Sequence, residues 1–422
     1  MALRKITILA FGSVGDVLPY LALAAGLESA GYQVTFVGAK KFEETARNRV
    51  ADYRAIDEDP EAVLSSSVGQ DWLASSSNPL KLVLSTLKIM QRNLPRYAAH
   101  ALRESRGTDL IISSNLASLV APHVAESLGV THIPAYPMPV TPTRAIPNAF
   151  VPLSFASGAT NWLSHRAYHL SCSLLLRRLV NRMRHDVFGL PPRNSVEPFR
   201  SIQKEAGPML YCYSPAVLPR PGRWKSWTHV TGYWFPPSIS GWQPPGPLID
   251  FLEAGPPPVC VGFGSMVDRT PERTAETVTE ALKRIGYRGI ILSGWSGLKA
   301  KAGSDSIFVA DAVNHRWLFP RTAAVVHHGG AGVTAAALNA GVPSVVVPFF
   351  ADQFFWARTI NRLGVAPMWV PRAGLTAEAL GSAIAAAVSE PAIRERALRL
   401  AGKIQLEDGV GSAVGFIGRY LS

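Results

Sequence analysis

Near the N-terminus, Phe11-Gly-Ser-Val-Gly-Asp16 turns out of a short apolar run and leads through Pro19 into a helical pattern. Glycines in such a turn let backbone amides approach a ligand, and a helix start supplies positive potential. Gly12, Ser13 and Gly15 make the turn. Asp16 sets a carboxylate at its mouth, where a polar, uncharged group could give it a proton. Aspartate is also a common N-cap, and a helix beginning near Leu18 would give Asp16 that work; the residues alone leave both roles open.

The C-terminal half carries two turns of similar kind. Gly262-Phe-Gly-Ser265-Met follows the apolar run from Val259, and Ser265 there can donate to a phosphate oxygen or simply close an ST-turn. More specific is Val325-Val-His327-His328-Gly329-Gly330-Ala331-Gly332-Val333-Thr334, an apolar run entering paired histidines and a glycine-rich helix start. Three glycines and a helix terminus make an anion cradle, and an imidazole at its edge can stabilise a departing diphosphate. His327 also fits a packed core histidine. Further on, Gly341 to Val347 leads through Pro348 to Asp352-Gln353. This acid–amide pair can accept from and donate to neighbouring hydroxyls of a sugar ring, or Asp352 can cap the next helix.

These residues need elements to carry them. Short β-branched runs alternate with helical patterns, the mark of a parallel sheet covered by helices. In the first half, 5–11, 33–37, 110–113 and 132–135 read as strands, with helices at 18–30, 40–50 and 116–128. In the second, strands at 259–263, 289–292, 307–309, 324–327 and 344–347 alternate with helices at 271–286, 332–340, 352–363 and 376–388. Between the halves, eleven of the 33 prolines fall within residues 215–258. Such density excludes helix and central strand and reads as an ordered connection, which Trp224, Trp227, Trp234 and Trp242 pack against something. The reading is α/β: two Rossmann-like, doubly wound parallel-sheet domains facing each other across a cleft, with ligands beyond the carboxyl ends of the strands. The first glycine turn lacks the third glycine of a dinucleotide fingerprint, and Gly38-Ala39-Lys40 lacks the acid that holds a ribose.

Composition excludes other classes. With 47% hydrophobic and 17% charged residues the chain is globular, not disordered. Three cysteines without a Cys-x-x-Cys pair indicate neither a disulfide framework nor a zinc site, and suit a cytoplasmic compartment. The apolar run at 6–11 is too short for a signal sequence, and 335–351 is broken by Asn339, Gly341, Pro343 and Pro348. No stretch supplies the ~20 apolar residues of a membrane span. The net charge of +12 invites anionic partners.

Taken in order, Gly12-Ser-Val-Gly-Asp16, Thr231-Gly-Tyr-Trp234, Gly255-Pro-Pro-Pro-Val with Gly262-Phe-Gly-Ser-Met266, and Trp317 to Gly332 continuing to Asp352-Gln353 resemble the family 1 nucleotide-sugar glycosyltransferases. The sterol glucosyltransferases and the actinobacterial glycopeptide and glycolipid transferases are the most similar branches. The resemblance implies the GT-B fold, with an acceptor domain at 1–214, a connection at 215–258 and a donor domain at 259–422 whose last helix can return to the first domain. It implies inverting, metal-independent transfer of a hexose to a hydroxyl of a hydrophobic acceptor such as a sterol or polyketide. UDP-glucose is the favoured donor and a dTDP-sugar the alternative. The nucleotide sugar is a co-substrate, so no cofactor is expected.

In that reading Asp16 is the catalytic base. Ser265, His328 and residues Gly329, Gly330, Ala331, Gly332 and Val333 hold the diphosphate, and Asp352 with Gln353 grips the sugar. Three departures bear on the nucleoside: Ala310 and Ala336 stand where plant members have a stacking Trp and a ribose-binding Glu, and Val333 replaces a Thr. Trp295 and the backbone near Val313 are the substitutes in view. Asp57-Glu58-Asp59 resembles a metal-binding Asp-x-Asp but reads as a solvated loop before Pro60.

Within the acceptor side the basic charge is concentrated in two helical stretches. Residues 81–106 hold six Lys or Arg against Glu104, and 163–200 hold seven Arg against Asp186 and Glu197. In the second stretch Leu176, Val180, Met183 and Val187 repeat at helical spacing beside arginines. A basic amphipathic helix can lie peripherally on an anionic inner-membrane surface, or its apolar side can pack on the core. The loop 137–155, with five prolines and two phenylalanines, could wall an apolar acceptor pocket. An NADP-dependent oxidoreductase using Lys40 and Lys41 and a non-catalytic nucleotide-sugar binder are the alternatives. The basic stretches lack the aromatic interleaving of a nucleic-acid channel, and nothing points to a particular oligomer.

Overall fold

The computed structural model describes all residues except 1–3, 58, 67–68, 70–78, 152–156, 194–207, 238–241, 267–269, 295–296, 299–305 and 422, and the statements below concern the described residues. The chain forms two compact units. Unit 1 comprises Met1–Pro215, Pro219–Pro237 and Asp408–Ser422; unit 2 comprises Ala216–Leu218 and Ser238–Glu407.

Unit 1 begins β1 (Lys5–Ala10), α1 (Val14–Ser29), β2 (Gln33–Ala39), α2 (Glu43–Arg47), β3 (Asp52–Ile56), α3 (Pro60–Ser65) and α4 (Pro79–Glu104). It continues with β4 (Leu110–Ser113), α5 (Ala121–Leu128), β5 (Thr131–Tyr136), α6 (Gly158–Phe188), β6 (Met209–Tyr211) and β7 (Thr228–Val230). Its sheet is parallel, in the order β3-β2-β1-β4-β5-β6-β7. Ile6, Ile8, Leu9 and Ala10 are all buried, as expected of a central strand covered on both faces. One core layer joins Leu9, Val37 and Ile111 of the sheet to Val124 of α5 and to Leu176, Val180 and Met183 of α6. The stripe of α6 that sequence periodicity marks out therefore faces the core, not a bilayer.

In unit 2, α7 (Gly246–Glu253), β8 (Val259–Gly262), α8 (Pro271–Arg284), β9 (Gly289–Leu292), β10 (Ile307–Ala310) and α9 (His315–Leu318) come first. They are followed by β11 (Ala324–His327), α10 (Ala331–Ala340), β12 (Ser344–Val346), α11 (Gln353–Arg362), α12 (Ala377–Ser389) and α13 (Pro391–Gln405). The sheet order is β10-β9-β8-β11-β12, again parallel. The final helix, α14 (Gly409–Leu421), packs on α1 in unit 1. Gly26 permits the approach, since a Cβ there would come within 2.4 Å of Val410.

Three expectations change. Helix α1 starts at Val14 rather than near Leu18, because Ser13 takes an extended N-cap conformation directly after the Gly12 turn. Pro19 then lies inside the helix, where it removes the bond to the Gly15 carbonyl. Secondly, the proline-rich segment contains a helix: α7 starts with Pro247 in its first turn, where a missing N–H costs no helical bond. The segment also holds edge strand β7, and it is shared between the two units rather than standing apart. Its tryptophans do pack. Trp224 stacks on Tyr211 at 4.9 Å, and Trp234 meets Tyr20 edge-on while donating to Thr231 Oγ1. Thirdly, the loop after β5 is pinned inward. Met138, Val140 and Ile146 are buried, the amides of Val140 and Thr141 donate to the Tyr211 hydroxyl, and Phe150 stacks on Tyr168. Phe155 lies outside the described residues.

Seven enclosed histidines are held below the ordinary 6.5, burial being the first cause each time: His123, His132 and His327 at about 3, and His165, His169, His315 and His328 at about 4. They stay neutral in the fold while the unfolded chain protonates below 6.5. Folding stability is thus expected to fall as pH drops from about 6.5 towards 4. Calorimetric melting temperatures across that window check this, and a flat profile would contradict it.

Candidate active site

In both units the glycine turns singled out from sequence sit where the strand order reverses, the switch point at which open α/β sheets bind ligands, whereas Asp352, Gln353 and Val313 follow the edge strands β12 and β10. In unit 1 the turn from Phe11 to Asp16 follows β1, which lies beside β4. Asp16 occupies the third position of α1, and its Oδ2 accepts from the Ser13 amide at 2.9 Å and from the Ser13 hydroxyl at 3.0 Å. The carboxylate folds back over Gly12, whose φ is +120° and where a Cβ would lie 2.6 Å from Oδ2. Asp16 is therefore not the N-cap, which is Ser13; as the third helical residue it accepts from the Ser13 amide in a capping box, and Oδ1 has no hydrogen-bond partner among the described residues. Burial raises its pKa above 3.8, against the lowering effect of the two Ser13 hydrogen bonds. Capping and proton acceptance are compatible because each uses a different oxygen.

In unit 2, β8 and β11 are neighbours, so the Gly262–Met266 turn and the His327–Gly332 string emerge side by side. His328 lies between them. A Cβ on Gly330 would come within 2.5 Å of its Nε2, and one on Gly264, at φ +58°, within 3.1 Å of its Cε1. At Gly264 the positive φ favours glycine, and at Gly330 a side chain would force the His328 ring to shift. Ser265 is half-buried in the same turn. Helix α10 begins with Gly330 as N-cap and no side-chain cap, so the amides at Ala331, Gly332 and Val333 have no partner from a capping side chain. His328 is neutral near physiological pH, its pKa pushed down to about 4 by burial and by His315. It can act on an anion as an N–H donor. His327 is the core histidine: fully buried, its Nδ1 accepts from the Gly329 amide at 3.1 Å.

The loop before α11 is held from within. Gln353 is buried; its Oε1 accepts from the amides of Phe349 (2.7 Å) and Phe350 (3.2 Å), and its Nε2 contacts the Met266 sulfur at 3.3 Å. The amide expected to hold sugar hydroxyls therefore organises the loop that presents Asp352. Asp352 stands at the N-cap of α11 but makes no side-chain cap bond. Before it, Ala351 has φ +54°, the one non-glycine in the left-handed region among the described residues. Sequence gave no signal for this strain. Val313 is buried against Leu318 and Phe319, so only its backbone could face a nucleoside. Trp295 lies outside the described residues. Thr334, the hydroxyl left beside Val333, is buried without a hydrogen-bond partner. Asp59 caps α3 by accepting from the Glu61 amide.

Known structures share this architecture from end to end. The glycosyltransferase of kitacinnamycin aligns over 100% of both chains with a TM-score of 0.69 at 18% identity. The glycosyltransferase VinC in complex with dTDP aligns over 99% of each chain with a TM-score of 0.66 at 18% identity. The fold is that of the GT-B glycosyltransferases. Family models match at both ends: the glycosyltransferase family 28 N-terminal domain over residues 6–147, and the erythromycin biosynthesis protein CIII-like C-terminal domain over 296–407.

Sterol 3-beta-glucosyltransferase UGT80B1 of Arabidopsis thaliana is 34% identical over 99% of this chain and 68% of its own length. The sterol 3-beta-glucosyltransferase of Cryptococcus neoformans is 34% identical over 99% of this chain and 27% of its own length. UDP-sugar-dependent glycosyltransferase 52 of Dictyostelium discoideum is 31% identical over 99% and 26%. The chain belongs to the glycosyltransferase family of the sterol 3-beta-glucosyltransferases. It spans about a quarter of the fungal relative's length and about two thirds of the plant one.

Gln353→Ala strands two amides of the 349–352 loop and is expected to cost about 1–3 kcal/mol, read as a lower midpoint in denaturant titration. Gly330→Ala is expected to displace His328 and weaken nucleotide diphosphate binding at least about tenfold, with the far-UV circular dichroism unchanged. Calorimetric titration with the free nucleotide diphosphate measures it, and undiminished affinity would remove His328 from the cradle.

Proposed function

We propose that the chain transfers a hexose from a nucleotide diphosphate sugar to a hydroxyl of a hydrophobic, sterol-like acceptor, with inversion and without a metal. The observation that carries this is the cradle of unit 2, where two glycine turns, a neutral imidazole and an uncapped helix start converge on adjacent strand ends. Backbone amides and the His328 N–H take up the negative charge of the leaving diphosphate. Asp352 lies at the end of the neighbouring loop to orient the sugar. Asp16, with one oxygen spent on Ser13 and the other available, takes the proton of the acceptor hydroxyl as it attacks the anomeric carbon.

The substrate classes are supported by the relatives. Two are named for sterol glucosylation and one for dependence on a UDP-sugar, while a structural neighbour holds dTDP, so UDP-glucose leads and a dTDP-sugar is second. No described helix is long and apolar enough to cross a membrane.

The test is a thermal-shift screen with UDP-, dTDP- and GDP-glucose and NADPH, followed by turnover on a sterol and on simpler hydrophobic alcohols in the presence of a chelator. A UDP-sugar is expected to raise the melting point and to give a product of inverted anomeric configuration by NMR. Stabilisation by NADPH alone would replace the reading with oxidoreduction. Asp16→Asn should abolish transfer while leaving donor affinity within about twofold, since it removes the base and not the cradle. In the unaltered protein, burial of Asp16 places the acid limb of the kcat/KM profile above 3.8, with activity lost as pH falls through it.

A further inference from the structure

Helix α6 is apolar on two sides. Its inner side packs Leu176, Val180 and Met183 into the core of unit 1. On the opposite side Leu163, Leu170 and Leu174 are 60%, 57% and 67% exposed; Trp162, 45% exposed, lies roughly 100° round the helix from Leu163, outside this stripe. At 100° per residue, Leu163, Leu170 and Leu174 fall within one narrow stripe, about 16 Å long from end to end. Arginines border it: Arg166 and Arg177 lie along one edge, and Arg178 and Arg182 close the C-terminal end, all exposed. The Arg166 guanidinium sits over the Trp162 ring at 5.6 Å. Arg177, Arg178 and Arg182 have no carboxylate partner among the described residues, whereas buried Arg184 on the inner side is bound bidentately by Glu126. The buried arginine is thus paired within the fold, whereas those beside the leucines have no carboxylate partner among the described residues.

We infer that this outer face of α6 docks onto the surface of an anionic lipid bilayer, with the leucines entering the interface, Trp162 flanking them under Arg166, and the arginines contacting lipid phosphates. Its composition matches that of an interfacial helix: an apolar stripe, an amphipathic aromatic and flanking cations with flexible apolar stems. Other occupants fit less well. Two copies meeting face to face would bring arginine rows of the same sign together with no carboxylate of the described part of this face to separate them. A small soluble acceptor calls for a concavity, and an outer helix face is convex. The inference adds a source for the hydrophobic acceptor of the proposed reaction, but it stands on the surface alone and does not need turnover.

The test is flotation of the full chain with vesicles of equimolar phosphatidylcholine and phosphatidylglycerol, and with phosphatidylcholine alone, at low and high salt and without donor. The unaltered protein is expected to float with the anionic vesicles at low salt and to be released by high salt. The triple variant Leu163→Gln, Leu170→Gln, Leu174→Gln and the pair Arg177→Glu, Arg178→Glu are each expected to lose binding at least about tenfold. Both act on exposed side chains; if the triple variant melts early, Leu170→Gln alone takes its place, with a smaller loss. Failure of the unaltered protein to float at low salt would overturn the inference, as would equal flotation of the variants. A dimer in sedimentation velocity that the leucine changes dissolve would assign the face to self-association instead. Because flotation is read without sugar transfer, a chain that floats but does not transfer, or the reverse, separates this inference from the proposed reaction.

Discussion

The glycine cradle of unit 2 depends on one steric constraint, the absence of Cβ atoms beside the His328 ring. Strands β8 and β11 deliver two turns to the same place, and the imidazole fills the space that Gly264 and Gly330 leave open. An alanine at Gly330 would put carbon 2.5 Å from Nε2, well inside contact distance. Gly329 meets the same limit from behind, where a Cβ would press on Val346 and the Gln353 carbonyl. With no side chains in the way, the amides at the start of α10 are accessible to an anion. The same enclosure keeps His328 neutral, so in the proposed reaction any stabilisation of negative charge here would come from oriented dipoles rather than a fixed cation.

Around this constraint, single residues carry two duties. Asp16 satisfies the Ser13 amide with one oxygen and keeps the other available, and its raised pKa reflects burial outweighing those hydrogen bonds. Gln353, beside Asp352, holds the amides of Phe349 and Phe350 with its Oε1, in the loop where Ala351 takes a left-handed conformation. Strain at a binding loop persists only where surrounding bonds over-determine it, and here Gln353 supplies them. On α6 the division is between faces: one stripe completes the core and the other stays in contact with solvent.

The fold was legible where the two periodicities are clean. Strands 289–292 and 324–327 are as read from sequence, and the neighbouring helices of unit 2 differ by one or two residues at their ends. These segments are short, β-branched and buried on both faces, and the helices between them carry apolar residues at 3.6 spacing. The misses have local causes. β6 and β7 are three residues each at the edge side of the sheet, too short for a pattern, and α7 hides behind prolines that are harmless in a first turn. On α6, choosing one apolar stripe concealed the second, since a helix apolar on two sides has no single amphipathic direction.

Sequence alone determined the chemistry available. Glycines where backbone must approach a ligand, a carboxylate after the first strand, paired histidines at a helix start, and their order along the chain already placed it beside the nucleotide-sugar transferases. Only the tertiary structure decided which histidine is buried in the core and which lies between the two glycine turns, that Gln353 faces inward, that Asp16 leaves one oxygen unbonded beside the Ser13 cap, and which leucines of α6 meet solvent. Backbone conformation is written locally, in residues such as glycine and proline that bias their own dihedrals. The direction and partners of a side chain depend on neighbours far away in sequence, and those exist only once strands 8 and 11 lie side by side and α6 has settled on its sheet.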